Sequence, residues 1–507
     1  MRRAVAGLSW ASALYLLVRV CAFYLGIGST RRHHLESAAF LFVLLLVPLV
    51  VTRRAGAAAA PSPEKAERRT RPALQIAAFV VVSLIIYWPL LSAGLFADDY
   101  VIVDASREGR LTVWRELFRP VIFLVWRPML AVAGMSGPLL HAVNIILHGI
   151  NAALVARLAQ RLLRDRSSGL AAGGLFVLLP SGLEAVAWPS GLQDVLMTTF
   201  VLLYLVLITD EERIWWKGGV AMVALAGGLL TKETAIAAPL LAAAIGAGLA
   251  LPETRHRTWK AAAISLAVVA GFIAIRLALL PVPASYGVDL TRYGIKELLV
   301  RPFATLVVPL REEEAYRAPA LAIGFVTLVV VSLRLASGRW DWQAVGFRVA
   351  LGGGVMVLAA VAPVLSYFYI DDDLLGSRYL YLAQVGWVLI LTIVFETASH
   401  KREAVLFPLF GGLLVVWFAV TSLHMKIWTD AGRARDRLVA AAGRTTPDCS
   451  SWAVYGLPST LRGVPLFING FPEAARHDLR GRIRVAPATV EAGECRLTWN
   501  GETFVRE

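Results

Sequence analysis

The stretch LQIAAFVVVSLIIYWPLLSAGL, at Leu74–Leu95, decides the fold class of this chain. It carries no charged side chain and, as a helix, it is long enough to cross about 30 Å of hydrocarbon. Similar runs recur along the chain, and 57% of its 507 residues are hydrophobic while only 17% are charged. We therefore expect an all-α polytopic membrane protein rather than a soluble domain.

About thirteen apolar segments are candidates for transmembrane helices. They lie at residues 8–28, 38–52, 73–95, 137–159, 168–180, 191–209, 218–230, 234–250, 259–281, 318–336, 345–367, 379–396 and 404–424. Some of the shorter segments could be tilted or re-entrant rather than simple spans.

The net charge of +14 is distributed as the positive-inside rule expects, not as a nucleic-acid-binding surface. Basic residues fall in alternate loops, starting with Arg2 and Arg3 at the N-terminus, whereas Arg31 and Arg32 depart from this pattern. The pattern predicts a cytoplasmic N-terminus and, after an odd number of helices, an extracytoplasmic C-terminus. The Ala/Arg-rich usage fits a bacterial plasma membrane.

The sequence predicts two regions, a membrane region at 1–430 and a small extracytoplasmic region at 431–507. Within the first, the charged Ala/Pro-rich segment 53–72 predicts a flexible cytoplasmic linker, and 97–136 predicts an exported catalytic loop. The C-terminal region has short β-branched stretches and an Asn500-Gly501 pair, which is typical of a hairpin. We expect a small α+β or β-rich appendage there.

Three cysteines bear on this appendage. Cys449 and Cys495 lie in the predicted exported tail, and Cys21 lies in the first predicted helix. The sequence is compatible with a disulfide between Cys449 and Cys495 and equally with two free thiols. The distance between the two residues in the folded chain decides between these alternatives.

Two adjacent carboxylates, Asp98 and Asp99, follow the run of Leu74–Leu95 on the predicted exported side. One of them could act as general base toward an acceptor hydroxyl while the other tunes its pKa. They could also bind a divalent cation such as Mg²⁺ or Mn²⁺, which paired carboxylates suit but do not require. The alternative is a polar helix cap at the membrane edge.

A polar stripe follows within an apolar segment. Its members are His141, Asn144, His148 and Asn151, which share one helical face. Because polar groups in a membrane need partners, the deeper members favour hydrogen bonding between helices. His141, nearest the exported end, is the candidate site contact.

Further ionisable groups recur on the same predicted side. Glu184 and Asp194 lie in LPSGLEAVAWPSGLQDVL at Leu179–Leu196, and could shape the site or merely hydrate a loop. Lys232 could bind phosphate, or could be neutralised by the adjacent Glu233. Arg378 follows three aspartates, Asp371–Asp373, and could bind phosphate oxygens through its guanidinium fork, whereas the aspartates are more typical of a solvated cap.

In this order, the motifs resemble those of the GT-C superfamily of polyprenyl-phosphate-sugar-dependent glycosyltransferases. The similarity is greatest to the protein O-mannosyltransferase-like group that includes the transmembrane-and-tetratricopeptide proteins, although no such repeats are evident here. The matching elements are Asp98-Asp99, Arg127-Pro128-Met129, HAVNIILHGINAALV at His141–Val155, Leu179–Leu196, Lys232-Glu233 with Pro239, and Arg378–Leu382. Leu179 and Leu192 stand where the family pattern has histidine and arginine.

The resemblance implies transfer of a sugar, for example mannose, from a polyprenyl-phosphate donor to an acceptor hydroxyl on the extracytoplasmic face, with inversion. It implies a catalytic role for Asp98 or Asp99. Lys232 and Arg378 would stabilise the leaving phosphate. The remaining motif residues would shape the acceptor side, and these are His141, Glu184, Asp194, Arg127 and Tyr379. The acceptor could be a protein, a glycan or a lipid.

Two other function classes compete with this enzyme. A transporter or flippase of lipid-linked sugars also needs many helices, but it usually places coupling carboxylates near the midplane of repeated halves. A catalytically inactive scaffold would explain the leucines at 179 and 192. Nucleotide-binding and zinc-protease motifs are not evident in the sequence.

Overall fold

A computed structural model provides the structure of the protein. It describes residues 72–113, 117–134, 137–212, 214–249, 252–280, 301–303, 305–306, 345–365, 370–371, 373–443, 451–475, 482–485, 495–500 and 504–506. The predicted spans at 8–28, 38–52 and 318–336 lie outside these residues, as do nearly all of the linker at 53–72 and the termini used for topology. The total of about thirteen spans therefore stays a prediction.

The described part of the chain is mainly helical. Its α-helices are α1 (Pro72–Tyr87), α2 (Asp98–Arg107), α3 (Pro120–Ala133), α4 (Gly137–Leu163), α5 (Arg166–Leu178), α6 (Leu183–Ala187), α7 (Leu192–Ile208), α8 (Trp215–Thr231), α9 (Ala238–Ala244), α10 (Pro252–Leu279), α11 (Val345–Leu365), α12 (Ala383–Gly443) and α13 (Phe471–Ala475). Short 3-10 turns connect several of them, including Trp88–Ser92, Glu233–Ala237 and Ser377–Leu380.

Several of these helices can cross a bilayer. Among the described residues, four are long and apolar enough, and they are Pro72–Ser92, Gly137–Leu163, Pro189–Ile208 and Thr254–Leu279. A fifth candidate is the pair Arg166–Leu178 and Pro180–Ala187, which is bent by 51° at the break. The chain is a helical membrane protein with several spans, as its apolar runs predicted.

α4 lies at the centre of the helical region, where it packs against α1, α5 and α7. Close backbone approach is possible where side chains are absent, as between α11 and α12. There a Cβ at Gly353 would lie 2.7 Å from the carbonyl oxygen of Gly386. Small residues at such crossings are typical of helix packing in membranes.

The helical segment α12 is 61 residues long. Gln384 near its start hydrogen-bonds Ser181, and Arg435 near its end hydrogen-bonds Leu95. The segment includes most of the predicted span at 379–396 and all of that at 404–424, and their separation into two spans stays a prediction.

A small mixed sheet follows α12, which itself continues past residue 430 to Gly443. The sheet order is β4-β1-β5-β6, with strands at Ser451–Tyr455 (β1), Arg482–Val485 (β4), Cys495–Trp499 (β5) and Phe504–Arg506 (β6). β1 is parallel to β4 and β5, whereas β5 and β6, which lie before and after Asn500-Gly501 in the sequence, are antiparallel. Two short strands, Thr460–Leu461 (β2) and Val464–Pro465 (β3), pair separately.

Cys495, at the start of β5, is disulfide-bonded. Cys449 and Cys21 lie outside the described residues, so the pairing of Cys495 with Cys449 stays a prediction.

Candidate active site

Asp98 and Asp99 are the first two residues of α2, where the helix dipole favours carboxylates. Asp99 is fully buried. Its Oδ2 accepts a hydrogen bond from the backbone N–H of Phe96 at 2.7 Å, and its Oδ1 accepts from the backbone N–H of Ser190 at 2.7 Å and from the Ser190 hydroxyl. Burial raises the pKa of Asp99 to about 7, although the hydrogen bonds oppose this shift. Asp99 thus ties the start of α2 to the loop before α7.

Asp98 is in a different environment. Its side chain is half-buried, and its Oδ1 accepts a hydrogen bond from Asn469 Nδ2 at 2.8 Å. The other oxygen, Oδ2, receives no hydrogen bond from the residues that the structure describes. Asp98 also lies near enough to Arg378 to act on it electrostatically. Of the two carboxylates, Asp98 is the one that can face a substrate.

The backbone just before this pair is held by side chains from three other elements. Three consecutive carbonyl oxygens each have a side-chain partner. The pairs are His141 Nε2 with Gly94 at 2.7 Å, the Arg435 guanidinium with Leu95, and Trp188 Nε1 with Phe96 at 3.2 Å. The acidic pair therefore stands on a fixed segment. His141 orients that segment.

The polar stripe of α4 is fully buried, as its helical spacing in an apolar segment predicted. Asn144 Nδ2 donates to the carbonyl of Trp188 at 2.8 Å, and Asn151 Nδ2 donates to that of Val195 at 2.9 Å. His148 Nδ1 lies 2.6 Å from the Tyr381 hydroxyl. The deeper members of the stripe thus join helices to one another.

Glu184, on α6, organises the loop that carries Arg378. Its side chain is only 4% exposed. It accepts hydrogen bonds from the backbone N–H of Gly376 at 3.2 Å and of Arg378 at 2.8 Å, and from the Ser377 hydroxyl at 3.2 Å. The guanidinium of Arg378 adds an ion pair at 2.7 Å. The carboxylate does not hydrate a loop; it fixes the position of Arg378.

Lys232 forms a buried ion pair with Asp194. The Nζ–Oδ1 distance is 2.5 Å, and both side chains are 4% exposed. The adjacent Glu233 is not its partner, contrary to one alternative from the sequence, because Glu233 pairs with Arg119 instead. Burial lowers the pKa of Lys232 to about 8, opposed by Asp194 and reinforced by Arg119 and Arg378.

Aromatic rings bring the two cations together. The Lys232 ammonium lies 4.5 Å from the centre of the Tyr379 ring, and the Arg378 guanidinium lies 4.8 Å from it. Arg378 also lies 4.3 Å from the Trp188 ring, and it donates to the Tyr379 hydroxyl at 3.1 Å. Cation–π contacts of this kind hold charged groups where water is scarce.

Arg119 is a site residue that the sequence analysis missed. Its Nε and one Nη donate to Glu233 Oε2 at 3.0 Å and 2.7 Å. It also donates to the side chain of Gln193. Arg276 of α10 lies 3.2 Å from the same Glu233 carboxylate. Arg119 lies in the predicted catalytic loop 97–136, but nothing in the spacing connects it to residue 233.

Two residues considered from the sequence, Arg127 and Asp373, make contacts of another kind. Arg127, on α3, is half-buried and donates at 3.0 Å to the carbonyl of Arg110, which follows the C-terminal end of α2, whereas the acidic pair begins that helix. Asp373 accepts from the backbone N–H of Leu375 at 3.1 Å, as a turn cap does. Asp372 lies outside the described residues.

The two positions that depart from the family pattern are apolar and enclosed. Leu179 and Leu192 are each 1% exposed, at the end of α5 and the start of α7. As for metals, the described residues contain no group of three or more His, Cys, Asp or Glu placed to hold an ion.

Part of the chain is similar in sequence to two known proteins. No protein-family model matches the chain. Over 191 residues it is 31% identical to the protein O-mannosyl-transferase Tmtc2 of Drosophila melanogaster, and over 154 residues it is 34% identical to Tmtc1 of the same organism, also a protein O-mannosyl-transferase. The matches cover 32% and 29% of this chain but only 20% and 17% of those relatives. These relatives confirm the resemblance to protein O-mannosyltransferases that the motifs indicated.

Among solved structures, that of ArnT from Cupriavidus metallidurans bound to undecaprenyl phosphate is similar with a TM-score of 0.38 and 14% sequence identity. The overlay covers 81% of this chain and 86% of that chain.

Proposed function

We propose that this chain is a membrane glycosyltransferase that moves a sugar from a polyprenyl-phosphate donor to an acceptor hydroxyl on the extracytoplasmic face, with inversion. One observation carries the proposal. A carboxylate with an open oxygen, Asp98, lies in the same layer as two cations, Lys232 and Arg378, that share one aromatic ring. Sugar transfer from a phosphate needs these two kinds of group together.

Asp98 is assigned as the general base. Its Oδ2 would take the proton of the acceptor hydroxyl while the acceptor oxygen bonds to the anomeric carbon. The bond from that carbon to the phosphate oxygen breaks at the same time, and the phosphate leaves with the electron pair. Asp99 is not assigned as the base, because it is enclosed and both its oxygens already accept hydrogen bonds. Asp99 would instead hold α2 in place.

Lys232 and Arg378 are assigned to the phosphate. Each is paired in the structure, to Asp194 and Glu184 respectively, which offsets the cost of burying a cation before the donor binds. Pairing does not use all of their donors, because lysine has three N–H groups and arginine has five. The remaining donors could stabilise the negative charge that develops on the leaving phosphate.

Mannose is the first sugar to test, and a protein hydroxyl is the first acceptor, because both relatives are named as protein O-mannosyl-transferases. The leucines at 179 and 192 replace polar residues of the family pattern within the same layer. The selectivity of this chain for donor and acceptor can therefore differ from that of proteins with the family pattern.

The test is a transfer assay on the purified full chain in nanodiscs. Polyprenyl-phosphate mannose and other polyprenyl-phosphate sugars are supplied with a hydroxyl-bearing peptide, a glycan or a lipid acceptor. We expect consumption of one donor and labelling of one acceptor by the wild type, and neither by Asp98→Asn. Movement of lipid-linked sugar across reconstituted vesicles without transfer would favour a flippase, and donor binding without turnover would favour an inactive scaffold. Either result would overturn the proposal.

A further inference from the structure

The chain segment after β3 packs directly on the acidic pair. Asn469 Nδ2 donates to Asp98 Oδ1 at 2.8 Å. Directly before Asp98, the backbone N–H of Ala97 donates to the carbonyl of Leu466 at 3.0 Å. A part of the C-terminal region thus reaches a residue that the sequence places more than three hundred positions earlier.

Apolar contacts anchor this segment. The ring of Phe467 stacks on that of Tyr100 in α2, with centres 6.4 Å apart, and contacts Phe471 edge-on at 5.0 Å. Leu466, Phe467 and Phe471 are all buried. Burial of such rings contributes substantially to an interface, so the segment is held by more than one hydrogen bond.

Two glycines fit the segment against the site. Gly470 has φ +82°, and a Cβ there would collide with the carbonyl oxygen of Ala97. Gly463, with φ +75°, lies against the backbone oxygen of Asp373, in the loop that leads to Arg378. The C-terminal region therefore touches both the acidic side and the cationic side of the candidate site.

We propose that Asn469 is a positioning residue for Asp98, and that the C-terminal domain thereby completes the acceptor side of the active site. This inference rests on the proposed function. The amide fixes one carboxylate oxygen and leaves Oδ2 directed to the acceptor.

Kinetics of the full chain in nanodiscs test the proposal. For Asn469→Ala we expect kcat to fall by about ten- to a hundredfold, as for a misplaced reacting group, with unchanged donor KM. For Asn469→Asp, a second carboxylate beside Asp98 should move the acidic limb of the pH–rate profile to higher pH. A role limited to stability would lower the unfolding temperature of Asn469→Ala but leave kcat unchanged at a temperature where the variant is folded. Wild-type kcat in Asn469→Ala would overturn the proposal.

Two glycine variants separate positioning from general damage to the domain. Gly470→Ala should lower kcat, since its Cβ would push the segment away from Ala97. Gly456→Ala is the matched control, because Gly456 also has a positive φ and a Cβ there would lie 2.8 Å from the Trp499 carbonyl, away from Asp98. It should lower the unfolding temperature but keep kcat. Equal loss of kcat in both variants would contradict the positioning role.

Failure of the proposed function would be recognised separately, as absence of transfer by the wild type with every donor. In that case thermal unfolding of Asp98→Ala, Asn469→Ala and the double variant tests whether the two side chains interact. We expect the two shifts in unfolding temperature to be non-additive. The control pair Asn469→Ala and Asp430→Ala should be additive, and additivity in both pairs would overturn the inference.

Discussion

Lys232 Nζ lies 2.5 Å from Asp194 Oδ1, and neither side chain is more than 4% exposed. The two residues come from different helical segments, just after α8 and within the first turn of α7. Glu233, which follows Lys232 in the sequence, forms ion pairs with Arg119 and Arg276 instead. The charges of the site are thus balanced across helices.

Lys232→Ala and Arg378→Ala should each weaken donor binding at least tenfold, because each removes a cation that the phosphate would contact. Binding of a polyprenyl-phosphate sugar to protein in nanodiscs measures this. Lys217→Ala is the matched control, since Lys217 is also a buried, ion-paired lysine but lies at the other end of α8. Unchanged donor affinity in both site variants would refute the phosphate role.

Donor use should depend on pH through Lys232. Because burial lowers the pKa of this ammonium to about 8, it loses its charge as pH rises through that value. We expect kcat/KM for the donor to fall above about pH 8. Lys232→Arg keeps a charged group at that pH, so its profile should lose this fall. An identical alkaline limb in the arginine variant would exclude Lys232 as its origin.

Asp98→Asn should reduce transfer by about 10²- to 10⁴-fold, the range lost when a general base is removed. The side chain is half-buried and its one hydrogen bond from Asn469 can be kept by the amide oxygen, so folding should be retained. Turnover under saturating donor and acceptor is the measurement. Near wild-type kcat in this variant would refute the base assignment.

Asp99 should affect stability in a pH-dependent way. Its pKa is raised by burial to about 7, so between its ordinary value and pH 7 the folded state binds more protons than the unfolded state. The contribution of Asp99 to stability is therefore full at low pH and is lost as pH rises toward and through about 7. Unfolding midpoints measured from pH 4 to pH 8 should show a weaker decline in Asp99→Asn than in the wild type. Parallel curves would show that Asp99 does not titrate in this window.

Tyr381→Phe should destabilise the helix packing by about 1–3 kcal/mol, because it removes the hydroxyl partner of buried His148. KM for donor and acceptor should not change. Tyr455→Phe is the control, since the buried Tyr455 hydroxyl has no hydrogen-bond partner among the described residues. Thermal unfolding in detergent compares the two. Equal midpoints in both variants would argue against a packing role for the stripe of α4.

Much of the architecture could be predicted because it depends on local properties of the chain. Run length and hydropathy located the four long apolar helices among the described residues. The three-and-four spacing of His141, Asn144, His148 and Asn151 placed these side chains on one buried face. The same reasoning named Asp98, Lys232 and Arg378 as members of one layer. It could not assign partners, and it offered Arg127 where the structure brings Arg119 to the charged cluster.

The sequence by itself determined that the chain is a helical membrane protein with ionisable groups at the ends of its apolar runs, because bilayer thickness sets the length that a spanning helix needs. Only the tertiary structure decided that Asp99 is enclosed while Asp98 is open, that Asp194 neutralises Lys232, and that Asn469 reaches the acidic pair. These facts depend on contacts between residues far apart in the chain. A local pattern of side chains does not specify which distant residue will pack against it.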